Sequence, residues 1–168
     1  MPITRLGSNQ SINLANNVTG LLGNTNLPTG TVLQTALSTN GTQTGVSNIS
    51  VETPNVQASL TPTSATTKII AIYTVGGIAA ENQNRLECIL RWGTSSSTTA
   101  GTIVANQYMA NKDVAVNDMG TCAMSVLIDH DTTSTVYVNG TVKTHDTNGQ
   151  RYFNVYGSDS AITLLEVT

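Results

Sequence analysis

The most unusual property of the sequence is its shortage of charge. Lys, Arg, Asp and Glu make up only 10% of the 168 residues, against roughly 25% in an average soluble domain. The basic residues are scattered singly and the net charge is −3, so no nucleic-acid interface is expected, because such an interface needs clustered Lys and Arg. Thr, Ser and Asn replace the missing charges. Hydroxyls and amides cost far less to bury than ions, so this surface is suited to packing against other subunits.

Other features are scarce as well. The longest apolar stretch, residues 69–80, is interrupted by Tyr73 and by Gly76-Gly77, and it is shorter than the roughly 20 residues of a membrane helix. No membrane insertion and no signal peptide are predicted. The two cysteines, Cys88 and Cys122, lack metal-site or redox spacing and are predicted to be buried reduced thiols. The sequence leaves open whether they pair.

Short strands separated by turn residues dominate the rest of the chain, and no segment has a convincing helical period. Alternation in 56–60 predicts a half-buried strand. The β-branched run at 68–75 predicts a central strand covered on both faces. Further strands are predicted from residue 31 and within 85–92, 103–109, 122–129, 152–156 and 161–167. The pattern predicts an all-β sandwich or barrel.

One segment predicts a tight hairpin. Asn139-Gly140 lies between two alternating runs, at 135–138 and 141–144. Both central residues of a type I′ turn need positive φ, which Asn and Gly tolerate. We therefore expect two short strands here, with Tyr137 opposite Val142.

The first 30 residues differ in composition from the remainder of the chain. They are rich in Asn, Ser and Gly, which are poor in helix interiors. Leucines nevertheless recur through them without a regular period, and a loose linker would carry fewer. We predict an extended N-terminal arm over 1–30 whose leucines contact another surface: Leu6, Leu14, Leu21, Leu22 and Leu27.

Groups able to carry out catalysis are few. The glycine loops, nucleophile elbow and zinc-binding helix of common enzyme classes are missing. His130 and His145 both neighbour aspartates and could ligate a metal if the fold brought them together. Solvated turn residues are the simpler interpretation. Gly76-Gly77 indicates a bend or a tight subunit contact rather than a phosphate site. No catalytic residue, metal or cofactor is predicted.

Five segments form a recognisable series along the chain: LANNVTG at 14–20, LPTGTVLQ at 27–34, SLTPTSATTKII at 59–70, RWGT at 91–94 and ITLLEV at 162–167. In this order they resemble small virion surface proteins of tailed phages, which include fibre heads and decoration proteins. The resemblance covers most of residues 14–168.

The resemblance implies a jelly-roll-like antiparallel β-sandwich over 31–168 behind the arm. It also implies a non-enzymatic homotrimer on the virion surface, assembled in the host cytoplasm. The chain is short and has no shaft repeats, which favours a capsid decoration (cement) protein whose arm binds the major capsid protein. The alternative is a tail-fibre or receptor-binding protein held by a tail protein, whose loops at 93–101 and 111–120 contact a host surface receptor. An enzyme using His130 and His145 is the third hypothesis.

Overall fold

The computed structural model describes residues 27–46, 51–80, 85–110, 119–145 and 151–168. These residues contain ten strands and one 3-10 turn, Val155–Gly157. The strands are β1 (Val32–Asn40), β2 (Thr44–Gly45), β3 (Thr53–Leu60), β4 (Lys68–Ala80), β5 (Arg85–Gly93), β6 (Thr102–Ala110), β7 (Met119–Asp129), β8 (Val136–Thr144), β9 (Arg151–Phe153) and β10 (Ser160–Val167). Within these ranges, no helix has the length and apolar character needed to cross a membrane.

Two antiparallel sheets pack face to face. In the first sheet β4 is central between β10 and β7, and β1 lies beyond β10. The short strands β9 and β2 extend this sheet beside the far end of β4. The second sheet has the order β3-β8-β5-β6. Eight long strands in the orders β1-β10-β4-β7 and β3-β8-β5-β6 form a jelly-roll-like sandwich, so the predicted fold class is confirmed.

The core lies between the sheets and is built by alternation along each strand. Val56, Ala58 and Leu60 of β3 are all buried, as their period of two predicts. Across the sandwich they belong to one apolar cluster with the inward side chains of β4, including Ile69 and Tyr73. Trp92 is half-buried and packs against this cluster.

A glycine pair lets β4 change its pairing partner. The register between β4 and β7 shifts between Val75 and Ile78, so Gly76-Gly77 forms a bulge. A Cβ on Gly76 would overlap the backbone of Asp159, and Gly77 has φ +29°. Before the bulge β4 pairs with β10, and after it with β9. The predicted bend is confirmed, and the close contact at Gly76 is with the same chain.

The predicted Asn139-Gly140 hairpin is wrong. Strand β8 runs straight through both residues and pairs with β3 on one side and β5 on the other. Tyr137 lies opposite Ser59 and Gly93, not Val142. Gly140 is required for packing, since a Cβ there would lie 2.5 Å from ring atoms of Tyr73. A central strand with a partner on each side overrides the local turn preference.

Two further strand predictions need correction. The run at 68–75 is central, but its outward positions Ile72 and Thr74 are exposed, so the described residues cover only one of its faces. The strand predicted over 152–156 ends at Phe153 because Asn154 and Tyr156 have left-handed backbone conformations, with φ of 57° and 55°.

The start of the sandwich is fastened to its end. Gly30 N–H donates to the Thr168 oxygen (3.1 Å), and the Thr168 hydroxyl donates to the Pro28 oxygen (2.8 Å). Leu27, which is half-buried, is the one predicted arm leucine within the described ranges. Leu6, Leu14, Leu21 and Leu22 lie outside the described residues, so the arm stays a prediction.

Candidate functional surfaces

The structure does not bring the two histidines together. His130 follows β7 and precedes β8, whereas His145 follows β8, and the nine residues of β8 span roughly 30 Å. His130 is buried; its Nδ1 accepts from the Thr132 N–H (3.3 Å), and its Nε2 lies 3.4 Å from the Thr67 hydroxyl. The expected solvated turn is therefore wrong for His130. Across the described ranges, no group of three or more His, Cys, Asp or Glu residues could hold a metal ion.

A buried carboxylate near His130 joins three distant segments. Glu166 of β10 has no exposed surface. Its Oε1 accepts from the Thr63 N–H (2.7 Å), the Thr63 hydroxyl (2.8 Å) and the Thr67 hydroxyl (2.6 Å), and its Oε2 accepts from Gln34 Nε2 (2.6 Å). Burial by itself raises the pKa of this carboxyl, but these hydrogen bonds outweigh burial and hold it below its usual value. We call Glu166 and its three partners the Glu166 cluster.

Sequence analysis missed Glu166, although its pattern contained a signal. In β10 the residues Ile162, Leu164 and Glu166 share the inward face. An acidic residue in phase with buried aliphatic residues must find hydrogen-bond partners. The partners themselves come from elements far away along the chain and have no such signal.

The outer side of the β3-β8-β5-β6 sheet is polar and carries two bonded carboxylates; we call it the polar face. Glu52 accepts from Arg91 Nε (2.9 Å) and from the Thr141 hydroxyl (2.7 Å). The Arg91 hydrogen bond is the main cause of the lowered pKa of Glu52. Glu87 accepts from Asn106 (2.7 Å).

His145 lies at the border of the polar face and contacts Glu87, with 2.7 Å between its Nε2 and the Glu87 Oε2. Burial raises the pKa of Glu87, but the bonds from Asn106 and His145 outweigh it and lower the value. Tyr108, which is exposed, packs its ring 5.2 Å from the His145 ring. The side chains of Asn106 and His145 are therefore held in place by their hydrogen bonds to Glu87.

The loop between β5 and β6, one of the two expected receptor loops, folds back onto the polar face. Asn139, which is buried, donates to the backbone oxygens of Ser97 (3.3 Å) and Ala100 (3.5 Å). Gln57 donates to the Ser96 oxygen (3.0 Å) and to Asn139 Oδ1 (2.6 Å). The loop is thus held by side chains of β3 and β8. The second expected loop lies outside the described residues over 111–118.

The outer side of the other sheet is chemically different. Three rows of register partners cross β1, β10, β4 and β7: Thr35-Leu165-Ile70-Leu127, Leu37-Thr163-Ile72-Ser125 and Thr39-Ala161-Thr74-Ala123. None of these residues carries a charge, and we call them the uncharged face. Leu37 and Leu127 are 68% and 61% exposed. One ion pair, between Lys68 and Asp129, borders the face at one end.

The two cysteines meet inside the sandwich. Both Cys88 and Cys122 are buried and free, as predicted. The neighbouring Cys122 thiol and burial raise the pKa of the Cys88 thiol. Cys122 also donates to Gln107 Oε1 (3.3 Å). The pair therefore acts as a small part of the core.

Comparisons with known proteins give little beyond the fold. No protein-family model matches the chain, and no curated protein matches it. Sixteen chains of solved structures match. One, described as the structure of infectious bursal disease virus, Gx strain, matches over 80% of this chain and 32% of its own, with 12% identity and a TM-score of 0.41. A match this weak carries no functional argument, so the jelly-roll-like fold rests on the strand order itself.

Proposed function

We propose that this chain is a non-enzymatic structural protein of a tailed-phage virion. In this proposal it is a homotrimer on the particle surface that decorates the capsid. The observation that carries the proposal is the Glu166 cluster. Gln34 belongs to the LPTGTVLQ segment, Thr63 and Thr67 to SLTPTSATTKII, and Glu166 to ITLLEV. Three of the segments that resemble phage surface proteins therefore converge on one buried carboxylate.

This convergence gives the resemblance a physical meaning. Low-complexity segments can look alike by composition alone, and such segments have no reason to meet in space. Here the segments supply one acceptor and its matching donors. They fix the first strand, the turn before β4 and the last strand in one place. The three resembling segments thus form one structural unit in this chain, and this unit supports the proposal.

The lowered carboxyl pKa values support a non-enzymatic role. A general acid at neutral pH needs a raised carboxyl pKa. The pKa values of Glu52, Glu87 and Glu166 are all lowered by their bonding partners. Each of these carboxylates already accepts two or more hydrogen bonds within the chain. Their role in the folded chain is therefore to connect strands, and not to act as a general acid on a substrate.

The proposal is tested by counting this chain in purified virions by quantitative mass spectrometry, relative to the major capsid protein. A capsid decoration protein is expected at a copy number comparable with that of the shell protein. A small copy number in a multiple of three would instead assign it to the tail. Absence from virions would overturn the virion assignment altogether.

A receptor-binding role is the second candidate, and the anchored loop favours it. Binding loops work best when a rigid scaffold positions them. Asn139 and Gln57 position residues 94–101 in this way. If this role holds, purified chain should compete with phage adsorption, and Ser96→Lys should abolish the competition. Ser59→Lys, on the same sheet but outside the loop, is the control and should still compete. If neither the wild-type chain nor the control competes with phage adsorption, this role is rejected.

A further inference from the structure

Among the described residues nothing covers the uncharged face, although the apolar pattern of β4 predicts a cover there. A strand whose residues are apolar on both sides is normally buried on both faces of its sheet. In β4 the inward residues Ile69 and Tyr73 are fully buried, whereas the outward residue Ile72 is 37% exposed. Leu37 and Leu127 flank it on β1 and β7, and both are mostly exposed. Four neighbouring strands therefore present aliphatic side chains outward together.

The opposite sheet differs in its charge, although it also exposes single large apolar residues, Ile103 and Tyr108. The polar face carries Glu52, Glu87 and Arg91, and all of these are satisfied by hydrogen bonds within the chain. The uncharged face offers only hydroxyl, methyl and aliphatic groups across its three rows. Charged residues are depleted from the cores of protein interfaces. Of the two outer surfaces, this one has the composition of an interface core.

We propose that the uncharged face is the surface by which copies of this chain pack against one another. The inference rests on the proposed homo-oligomer and names its interface. A second copy fits because it brings the same uncharged surface, so neither side buries an unpaired charge. A partner with a charged surface would lose hydration without gaining an opposite charge. The bordering Lys68–Asp129 pair is already neutralised within one copy.

The size of the face sets the expected strength. Four strands are roughly 19 Å wide, and the seven residues from Lys68 to Thr74 are roughly 23 Å long. In the proposed homotrimer each copy turns one such face, roughly 440 Å², toward its two neighbours around the three-fold axis, so each contact between copies is of the weak, reversible class. Association is therefore expected to depend on protein concentration in solution.

Sedimentation equilibrium on the full chain tests the interface over the micromolar to millimolar range. Leu37→Lys and Leu127→Lys should each convert the oligomer to the 17.6 kDa monomer. Both leucines are solvent-exposed in a single copy, so the variants should fold, which circular dichroism checks. Leu127→Thr should weaken association less, because it adds no charge. Ile103→Lys is the matched control, since Ile103 is 46% exposed on the other sheet.

The outcomes separate the interface from the proposed function. Monomeric face variants beside an oligomeric control support the inference. A wild type that stays monomeric throughout overturns it, as does an oligomer that both lysine variants leave unchanged. The virion count is an independent measurement. If the protein is abundant in virions but Leu127→Lys leaves its oligomeric state unchanged, the interface is refuted and the virion role is still supported.

Discussion

Replacing Gly140 with alanine would place a methyl carbon against the ring of Tyr73. A Cβ at this position would lie 2.5 Å from both Cε2 and Cζ. Neither partner can retreat easily. Tyr73 is fully buried and its hydroxyl accepts from Asn55 Nδ2 (3.0 Å), while β8 is paired on both sides. Overpacking of this kind costs about 2–3 kcal/mol. For a chain of this length the melting temperature should fall by about 5–10 °C.

Thermal unfolding followed by circular dichroism measures this effect, with Gly45→Ala as the control. The nearest atom to a Cβ on Gly45 is a Tyr152 ring carbon at 3.5 Å, an ordinary contact, so this variant should melt like the wild type or slightly higher. The decisive test is Gly140→Ala on a Tyr73→Leu background. Removing the ring should remove most of the alanine penalty. In a type I′ turn the penalty would come from positive φ, so an equal cost with and without the ring would refute the packing argument.

Three other predictions address the carboxylates, the anchored loop and the arm. The stability from Glu52, Glu87 and Glu166 is complete above the unfolded carboxyl pKa of about 4.3 and is lost as pH falls through their lower folded values. The melting temperature should therefore drop in acid. Glu166→Gln should cost about 2–4 kcal/mol at neutral pH and flatten this drop; an unchanged urea midpoint would contradict the cluster. Asn139→Ala should speed hydrogen exchange within 94–101, and equal exchange in the two proteins would show that the loop is held otherwise. Aspartate at Leu14 or Leu22 should abolish binding to undecorated capsids without lowering the melting temperature, whereas full binding would remove the arm's proposed role.

The strands that could be predicted from the sequence are those in which alternation and burial agree. Val56, Ala58 and Leu60 alternate with polar residues and are buried on one side, so a period of two located β3 correctly. The failure at Asn139-Gly140 has the opposite cause. A side chain at position 140 would overlap the ring of Tyr73, and Tyr73 lies far away in the sequence. A local pattern cannot distinguish a glycine needed for a turn from one needed for packing.

The candidate sites were harder to predict than the fold. The alternation along β10 places Glu166 on the same face as buried aliphatic residues. Its donors Gln34 and Thr67 come from two other segments, and only the folded structure shows that they reach it. Likewise, the apolar run of β4 predicted a cover on both faces, whereas the described residues of one copy supply it on one face only. Composition indicated subunit packing from the start, while the location of the proposed packing surface required the strand registers.

The pairing of β1 with β10 also determines when this protein can fold. Val32 lies opposite Val167, so among the described strands β1 obtains its one long neighbour in the first sheet from β10, whose residues are synthesised much later than those of β1. Synthesis at 5–20 residues per second means a wait of roughly 6–27 s, during which β1 lacks this neighbour. Such non-local pairing makes folding slow compared with helical proteins. The first sheet, and with it the uncharged face, is completed only after β10 has been synthesised, so copies cannot pack through this face before then.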